Sequence, residues 1–523
     1  MADKENRLSC GGEKMESGSW FEREGVLDFA RQLLAARSCQ GYVVGGYVRD
    51  LLLGRETRDL DLVVENDALE LARETANGMG GAFVLLDEER HTARVVLREG
   101  AERYYLDFAT LRGDTLNADL AARDFTINAM AIDVQDTAAR PQIFDPTQGR
   151  RDLEGRVVRA VSDSVFVDDS IRLLRGIRLA AELAMEVEEY TQELMVRDAH
   201  LIAQASAERV RDELCKILGT SRAESHLRHL HRLGLLGHLV PELDAVRGLD
   251  QPLPHHEDVF EHSLRAVGAM DWVFAALERL ANGLELPSDG RWGAEGEVDQ
   301  YFGSPLGPFA QQLVGYLREA LVDERSRSVL LKLAALLHDV GKANTAKVDE
   351  DGRIRFLGHD QEGAAVAARS LRRFHFGSRE VRLAQTVIRH HMRPLHLARL
   401  EEISDRASYR FFRDTQGAGV DVLLLSLGDT LALVHEGENV EKWARICAVV
   451  GLLLRDYYER YDQIIDPEPL LSGRDLLDRF GMEPGPAVGR MLQTLHEAQA
   501  TGEVSTQEQA LNLVEGLLGK QAD

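Results

Sequence analysis

Between Val26 and Ile143 the apolar residues fall into short runs set apart by polar turns. "YVVGG", "LDLVV", "AFVLL", "ARVVL", "YYLDFA" and "AMAIDV" each have strand length, and several are rich in valine. "ALELARETANGM" among them has helical spacing, so this part of the chain predicts a mixture of strands and helices. From Phe166 onward Leu, Ala, Glu and Arg dominate, strand signals are absent, and the pattern predicts helices almost throughout. A polar, glycine-rich stretch, "LELPSDGRWGAEGEVDQYFGSPLGP" from Leu284 to Pro308, interrupts the helices and reads as a surface insertion. A second helical block runs from Arg325 to Tyr461. The sequence "DPEPLLSGRDLLDRFGMEPGPAVGRML" then opens a small terminal segment punctuated by Pro and Gly.

At 523 residues the chain exceeds what one hydrophobic core supports, so about two to four domains are expected. No apolar run is long enough to span a bilayer, which removes a membrane from the expected partners. The N-terminus "MADKENRLSCGGEKMESGSW" lacks a basic-then-apolar signal pattern and reads as a disordered lead-in. Cys10, Cys39, Cys215 and Cys447 have no paired spacing, as free thiols in a reducing cytoplasm would. The net charge of −25 argues against a protein that coats nucleic acid non-specifically, although a local basic groove remains compatible with it.

The candidate chemistry begins at "GGYVRDLLLGRETRDLDLVV", Gly45 to Val64. Asp59 and Asp61 lie two apart on a strand, so both carboxylates project from one face and repel each other unless a cation bridges them. Mg²⁺ prefers oxygen ligands and completes its shell with substrate phosphates. Gly45 and Gly46 precede a helical stretch, where a glycine turn lets backbone N–H groups approach a phosphate, and Arg49 one turn later can supply a cation. Asp107 in "YYLDFATLRG" is a third strand carboxylate, the arrangement that two-metal nucleotidyl transfer needs.

With "ARDFTINAMAID", Ala122 to Asp133, the chain resembles the bacterial class II tRNA nucleotidyltransferase and poly(A) polymerase family. The elements that carry the resemblance span roughly Gly41 to Leu218 and include "DPTQGRRDLEGRVVRAV", "DDSIRLLRGIRLAAEL" and "SAERVRDELCKIL". It implies an α+β (mixed) fold: a small nucleotidyltransferase α/β palm head followed by all-helical neck, body and HD domains. It further implies that Gly46 and Arg49 contact phosphates and that Arg123, Asp124 and Asn128 shape the nucleotide pocket. Asp169 and Arg172 are then expected to hydrogen-bond the incoming base edge, with Arg175 and Arg178 near the nucleotide. On the residues alone, Asp169, Arg172, Arg175 and Arg178 recur every three positions and predict a drifting stripe on one helical face, opposite Ile171, Leu174, Ile177 and Ala181. Two departures stand out: Ala122 takes the place of the first of two arginines, and Asp168 stands before Asp169 where the family has Glu.

The later helices hold a second constellation in "HHEDVFEHSL", "LLHDVGK", "FLGHDQEGA", "IRHHMRP" and "LSLGDT". His262, His338, Asp339 and Asp429 form the ordered H…HD…D set that resembles an HD metal-dependent phosphohydrolase, and His359 and His390 fall where such sites take further ligands. Imidazole with carboxylate suits a divalent metal, Mg, Mn, Ni or Fe, with open positions for water and phosphate. The resemblance implies hydrolysis of phosphomonoesters or 2′,3′-cyclic phosphates.

The expected organisation is a tail over 1–24, a nucleotidyltransferase head over 25–160, a helical neck over 161–250, an HD domain over 251–460 and a tRNA-binding tail over 461–523. The expected substrates are tRNA, CTP and ATP. Family members that build the whole CCA end carry a loop of a dozen or more residues after the third carboxylate strand, whereas here "DTLNADLAARDFTINA" follows "FATLRG" almost at once. The short connection favours a CC-adding enzyme whose product goes to a separate A-adding enzyme. A full CCA-adding enzyme is the main alternative, followed by an A-adding or poly(A) enzyme. A reading of another class is an HD phosphohydrolase with an idle nucleotide-sensing head.

Overall fold

The computed structural model describes residues 24–519 apart from 58, 100–101, 139–140, 288–291, 293–297, 323–324 and 436. The tail expected over 1–24 therefore lies almost wholly outside the described residues. The chain divides between Asp198 and Ala199 into two compact units, each taken by itself below.

The first unit is built on a seven-stranded sheet. Its elements are α1 (Glu24–Ala36), β1 (Gly41–Val44), α2 (Gly46–Leu52), β2 (Asp59–Val64), α3 (Ala68–Met79), β3 (Ala82–Asp87), β4 (Thr92–Glu99), β5 (Glu102–Thr110), α4 (Leu116–Ala121), β6 (Ala131–Asp133), β7 (Ile143–Phe144) and α5 (Gly149–Glu154). All six expected strands and the helix read from "ALELARETANGM" are present. The order is β3-β4-β5-β2-β1-β6-β7, with β2 parallel to β5 and the other pairs antiparallel.

Alternation sorts β2 into two faces. Leu60, Leu62 and Val64 are buried on one of them, and Asp59, Asp61 and Val63 share the other. Val63 closes its end of that face in a cluster with Val44, Leu120, Ala129 and Ala131, which leaves the aspartates at the uncovered end. The buried stripe of α3, Leu71, Ala72 and Ala76, packs on β3, β4 and β5.

A buttress fixes the turn Thr126–Asn128. Gln148 adopts φ 62°, the Asp145 carboxylate accepts the Gly149 and Arg150 N–H groups at 2.6 and 3.0 Å, and α5 starts there. Asp152 on α5 then accepts from Thr126 Oγ1 at 2.7 Å and from Arg159 Nε at 3.0 Å.

The second unit is helical, with short strand pairs at Ala320–Val322 with Arg325–Ser326 and Lys347–Val348 with Ile354–Arg355; a parallel pair, Val157–Val158 with Glu186–Val187, lies in the first unit. Strands of two or three residues carry too little period-2 pattern to be read, so the expectation of no strands beyond Phe166 is corrected there. The helices Val259–Ala281 and Gly419–Ala432 are buried along most of their length and form the centre of this unit.

The surface insertion expected over Leu284–Pro308 also needs correction. Residues 288–291 and 293–297 lie outside the described set, but Asp299–Leu306 is a helix whose Phe302 is fully buried. Phe302 stacks on Trp443 with ring centroids 6.0 Å apart and meets Trp272 at 5.2 Å. Two aromatic partners far along the chain decide its burial, and local polarity could not reveal them. The terminal segment forms three helices, Gly473–Phe480, Pro486–Ala500 and Gln507–Gly519, around Leu476, Leu495 and Val514.

The buttress generates a stability prediction. A Cβ on Gly149 would stand 2.1 Å from the Thr126 carbonyl oxygen, a backbone atom that cannot swing aside. Gly149→Ala should destabilise the first unit by about 1–3 kcal/mol, the usual cost of overpacking. A thermal or urea melt matching that of the unaltered protein would remove the buttress role.

Candidate functional site

The sheet register lines up a row of side chains on one face. Ala131 pairs with Val44, Val44 with Asp61, Asp61 with Asp107, and Asp107 with Arg94. Asp59, two residues before Asp61, shares that face and is exposed. Burial pushes the Asp61 carboxyl above the usual carboxylate range and the Asp107 and Asp59 charges add to this, while Arg123 and Arg175 oppose it. Asp107 is held by a guanidinium fork: Arg94 Nε donates to Oδ1 at 2.7 Å and Nη2 to Oδ2 at 2.8 Å. Three oxygen donors on an uncovered face, one of them resisting ionisation, fit a hard cation such as Mg²⁺.

The glycine turn abuts this row. Gly45 has φ 72° and ψ −135°, a conformation open to glycine, and a Cβ there would stand 3.0 Å from Asp61 Oδ2 and 3.1 Å from Arg123 Nη1. Only glycine lets the backbone pass between these two groups. The helix α2 that follows has seven residues.

Arg49 donates through Nη1 to Asn128 Oδ1 at 2.8 Å and through Nε and Nη2 to Asp50 at 3.0 and 2.8 Å. Asn128 Nδ2 donates to Asp124 Oδ1 at 3.1 Å, and Arg175 Nε lies 2.9 Å from Asp124 Oδ2. Burial resists the Asp124 charge, but Arg175 and the N–H groups of Phe125 and Asn128 prevail and hold its carboxyl below the ordinary range. Arg123 is aimed by Asp119, whose Oδ2 accepts its Nε–H at 3.0 Å. Arg49, Asn128, Asp124 and Arg175 are thus brought into one network, and Gly46 opens the helix that carries Arg49.

The expected stripe Asp169–Arg172–Arg175–Arg178 is corrected. Asp169 is extended, with φ −157° and ψ 104°, so the helix begins at Arg172 and the three-residue phase does not include it. The arginines then diverge. Arg172 is 8% exposed and donates to the carbonyls of Ala122 at 3.0 Å, Val165 at 3.3 Å and Arg123 at 3.4 Å. Arg175 is exposed and meets Asp124, while Arg178 pairs with Glu182 at 2.5 Å. Leu173, Leu174, Gly176, Ile177, Leu179 and Ala180 are all buried, so the helix is wrapped nearly all round rather than split into two stripes.

The second constellation gathers in the other unit, where five helical segments converge. His262 lies in Val259–Ala281, His338 and Asp339 follow Arg327–Leu337, His359 opens His359–Arg373, His391 follows Ser378–His390, and Asp429 lies in Gly419–Ala432. His262 Nε2 is 3.0 Å from Asp429 Oδ1, and His338 Nε2 is 3.1 Å from Asp339 Oδ2. His359 Nε2 and His391 Nε2 lie 3.5 and 4.0 Å from Asp339 Oδ1.

The Nδ1 atoms of His338, His359 and His391 each face the carbonyl three residues earlier, at 2.7, 2.8 and 2.6 Å. A carbonyl only accepts, so Nδ1 carries the proton and Nε2 turns to the centre, the orientation that metal-ligating histidines take from their outer partners. Among the described residues, the buried Nε2 atoms of His338 and His359 face carboxylates without meeting hydrogen-bond geometry. Burial resists a charge on His338, yet Asp339 and Asp429 push its imidazolium up to about 10, and both carboxyls sit well below their usual range. The centre therefore calls for positive charge, and its mixed N/O donors fit a divalent transition metal.

His390 is corrected to His391. Adjacent helical residues point about 100° apart, and His391 is 1% exposed at the centre while His390 is half-buried outside it. Lys342, which donates to Asp339 Oδ2 at 2.6 Å, was also missed, although the "HDVGK" spacing places it one turn after Asp339. Gly341 is required because a Cβ would lie 2.2 Å from the His359 carbonyl oxygen and 2.4 Å from Gly363 N. In the first unit, Arg94 and Asp152 were missed because sheet register and chain packing set their partners, and Asp50 and Asp119 were missed although theirs lie one and four residues away.

Among the described residues, the groups of three His, Cys, Asp or Glu with ligand atoms within 4.8 Å of one another all lie in this second cluster. The Asp59, Asp61 and Asp107 trio is more open.

Four stretches of the chain match known families. Residues 41–159 match the poly A polymerase head domain, 184–247 the "Probable RNA and SrmB- binding site of polymerase A", 310–415 the HD domain and 450–514 domain 2 of tRNA nucleotidyltransferase. A palm head with a carboxylate row, joined in one chain to a helical HD region, defines a nucleotidyltransferase of the poly(A) polymerase type.

More closely, the chain belongs to the tRNA nucleotidyltransferase family. It is 34% identical to a CC-adding tRNA nucleotidyltransferase of Thermus thermophilus over 90% of this chain and 92% of that one. It is 32% identical to an A-adding tRNA nucleotidyltransferase of Deinococcus radiodurans, over 90% and 94%. A multifunctional CCA protein of Xanthomonas campestris is 32% identical over 70% and 77%. In fold, the chain resembles a CCA-adding enzyme solved with CTP (TM-score 0.58, 22% identity, 95% and 97% covered) and a Thermotoga maritima CCA-adding enzyme complexed with tRNA (0.54, 22%, 94% and 95%). Among the described residues no helix is long and apolar enough to cross a membrane.

The exchange of His390 for His391 can be checked directly. His391→Ala should weaken divalent-metal binding by about 10–100-fold or more, as loss of an organised ligand does, while His390→Ala leaves it nearly unchanged. Metal content of the purified variants by mass spectrometry decides it, and the reverse ranking would return His390 to the site.

Proposed function

We propose that this chain adds C residues to the 3′ end of tRNA without a nucleic-acid template, stopping at CC. The observation that carries the specificity is the connection from β5 to α4, residues 111–115, which is both short and tied down. Leu111 N donates to Val64 O at 2.9 Å, Arg112 N to Asp119 Oδ1 at 3.1 Å, and Thr115 caps α4 by accepting from Ala118 N at 3.2 Å. A connection pinned at both ends offers no lever to reshape the pocket from C to A. Relatives carrying CC-adding, A-adding and multifunctional names are all similar to this chain, so the loop rather than kinship supports the choice. A full CCA-adding enzyme remains the alternative, and the CC product would pass to an A-adding partner.

In this reading Asp59, Asp61 and Asp107 hold Mg²⁺, which supplies activation of the 3′-hydroxyl and charge neutralisation at the leaving pyrophosphate. Gly45 and Gly46 admit the triphosphate to the backbone, and Arg123 and Arg175 stand ready as cations beside it. Asp169 and Arg172 read the base edge. The carbonyls of Ala122, Arg123 and Val165 hold the Arg172 guanidinium in one orientation and leave its Nε–H without a partner among the described residues.

The buried cluster of the second unit supports a separate hydrolytic activity on phosphate esters at RNA ends. A pocket lined by His255, His256, His262, Arg265 and His435 adjoins it through His262, and its imidazoles and guanidinium suit a phosphoryl group. His262, His338, Asp339, His359, His391 and Asp429 would hold the metal, which supplies an activated water. Against its burial, His338 and then Lys342 hold the Asp339 carboxyl ionised.

Asp59→Ala or Asp61→Ala should lower incorporation of labelled CTP into tRNA lacking its 3′ end by about 10²-fold or more. His338→Ala should spare that incorporation and remove any metal-dependent phosphatase or phosphodiesterase activity. Normal turnover in either aspartate variant would end the transferase assignment. A second measurement supplies CTP and ATP together to tRNA ending at the discriminator base, and 3′-end sequencing is expected to find chains ending in CC. Efficient addition of the terminal A would establish the CCA-adding alternative.

A further inference from the structure

Arg94 stands at the end of the carboxylate row. It pairs in register with Asp107 on β5 and with Val84 on β3, so it faces the same side of the sheet as Asp61. Its fork occupies both oxygens of Asp107, at 2.7 and 2.8 Å. The guanidinium carbon also lies 5.0 Å from the centroid of the Tyr105 ring, and Tyr105 pairs in register with Asp59. One planar cation therefore grips Asp107 and lies over the ring of the residue that pairs with Asp59. Asp59 and Asp61 add to Asp107 in stabilising its charge.

A carboxylate that accepts two parallel N–H bonds on its open side cannot turn that side to a metal ion at the same time. Resting on the reading of Asp107 as a metal ligand, we propose that Arg94 is a positioning residue that occupies Asp107 in the substrate-free enzyme. It holds the third carboxylate in the rotamer that faces Asp61 and competes with the divalent cation for its oxygens. The competition keeps the trio open until a nucleotide brings further oxygen ligands, after which Arg94 gives up at least one oxygen. Of the arginines assigned to this site, Arg49 is matched by Asp50, Arg123 by Asp119 and Arg175 by Asp124, none of them a proposed metal ligand. Arg94 instead closes its fork on a carboxylate of the trio.

The test measures Mn²⁺ binding to the substrate-free full-length protein by electron paramagnetic resonance, with the second cluster unchanged in every variant as a constant background. Arg94→Gln should bind Mn²⁺ at the trio at least about threefold more tightly and add CMP more slowly, because Asp107 is freed but no longer aimed. Arg94→Lys, which keeps the charge without the fork, should fall between, and circular dichroism confirms that both variants fold. Asp107→Asn should weaken Mn²⁺ binding, and in that background Arg94→Gln should have little further effect. If Arg94→Gln leaves Mn²⁺ binding unchanged or weaker while Asp107→Asn weakens it, the proposal is overturned and Asp107 stands as a ligand. If the tightening persists in full without Asp107, direct competition is overturned and only long-range charge remains. If Asp107→Asn binds Mn²⁺ as the unaltered protein does, the reading of Asp107 itself fails and the proposal with it.

Discussion

Three carboxylates on neighbouring positions of two parallel strands repel one another, and the first unit is organised around that repulsion. The parallel pairing of β2 and β5 sets Asp61 beside Asp107, and the strand period adds Asp59 to the same face. Low exposure at Asp61 sharpens the problem, since a buried charge costs more than a solvated one. The protein answers with arginines rather than with distance. Arg94 grips Asp107, and Arg123 and Arg175 bear on Asp61. The result is a carboxylate face held together by guanidinium groups.

Those arginines are themselves placed by carboxylates lying outside the row. Asp119 aims Arg123, and Asp124 engages Arg175 while accepting from Asn128, which in turn accepts from Arg49. Beneath them Asp152 grips Thr126, and Asp145 starts the helix that carries Asp152. The motif "DPTQGRRDLEG" is thus a support for "RDFTINA". Its glycine is required by the approach of α5 to the Thr126 carbonyl rather than by chemistry.

The second cluster solves the opposite problem. Its donors are nitrogen and oxygen, nearly all buried, with ligand atoms within 4.8 Å of one another in each group of three. Backbone carbonyls fix the proton on Nδ1 of three imidazoles, so the Nε2 atoms converge without rotamer freedom. An open, oxygen-only face suits a hard ion that arrives with its nucleotide. A closed, mixed set suits a resident metal.

Much of this was legible along the chain. Six strands and the helix Ala68–Met79 followed from apolar period, because each buries a regular side of its own backbone. Asp59 and Asp61 could be placed on one face from strand geometry alone, and the H…HD…D order declared a helical ligand set. What the chain order could not decide was pairing between distant segments. Arg94 meets Asp107 only through the β4–β5 register, and Phe302 is buried only because Trp443 and Trp272 receive it. The three-residue recurrence of Arg172, Arg175 and Arg178 suggested one stripe, yet packing sent each guanidinium to a different partner. His390 and His391 are indistinguishable as letters, and the turn at the end of a helix chose between them. Local pattern determines which backbone a segment adopts, because that depends on neighbours within a few residues. Which side chains meet depends on contacts across the fold, and those exist only once the chain has closed.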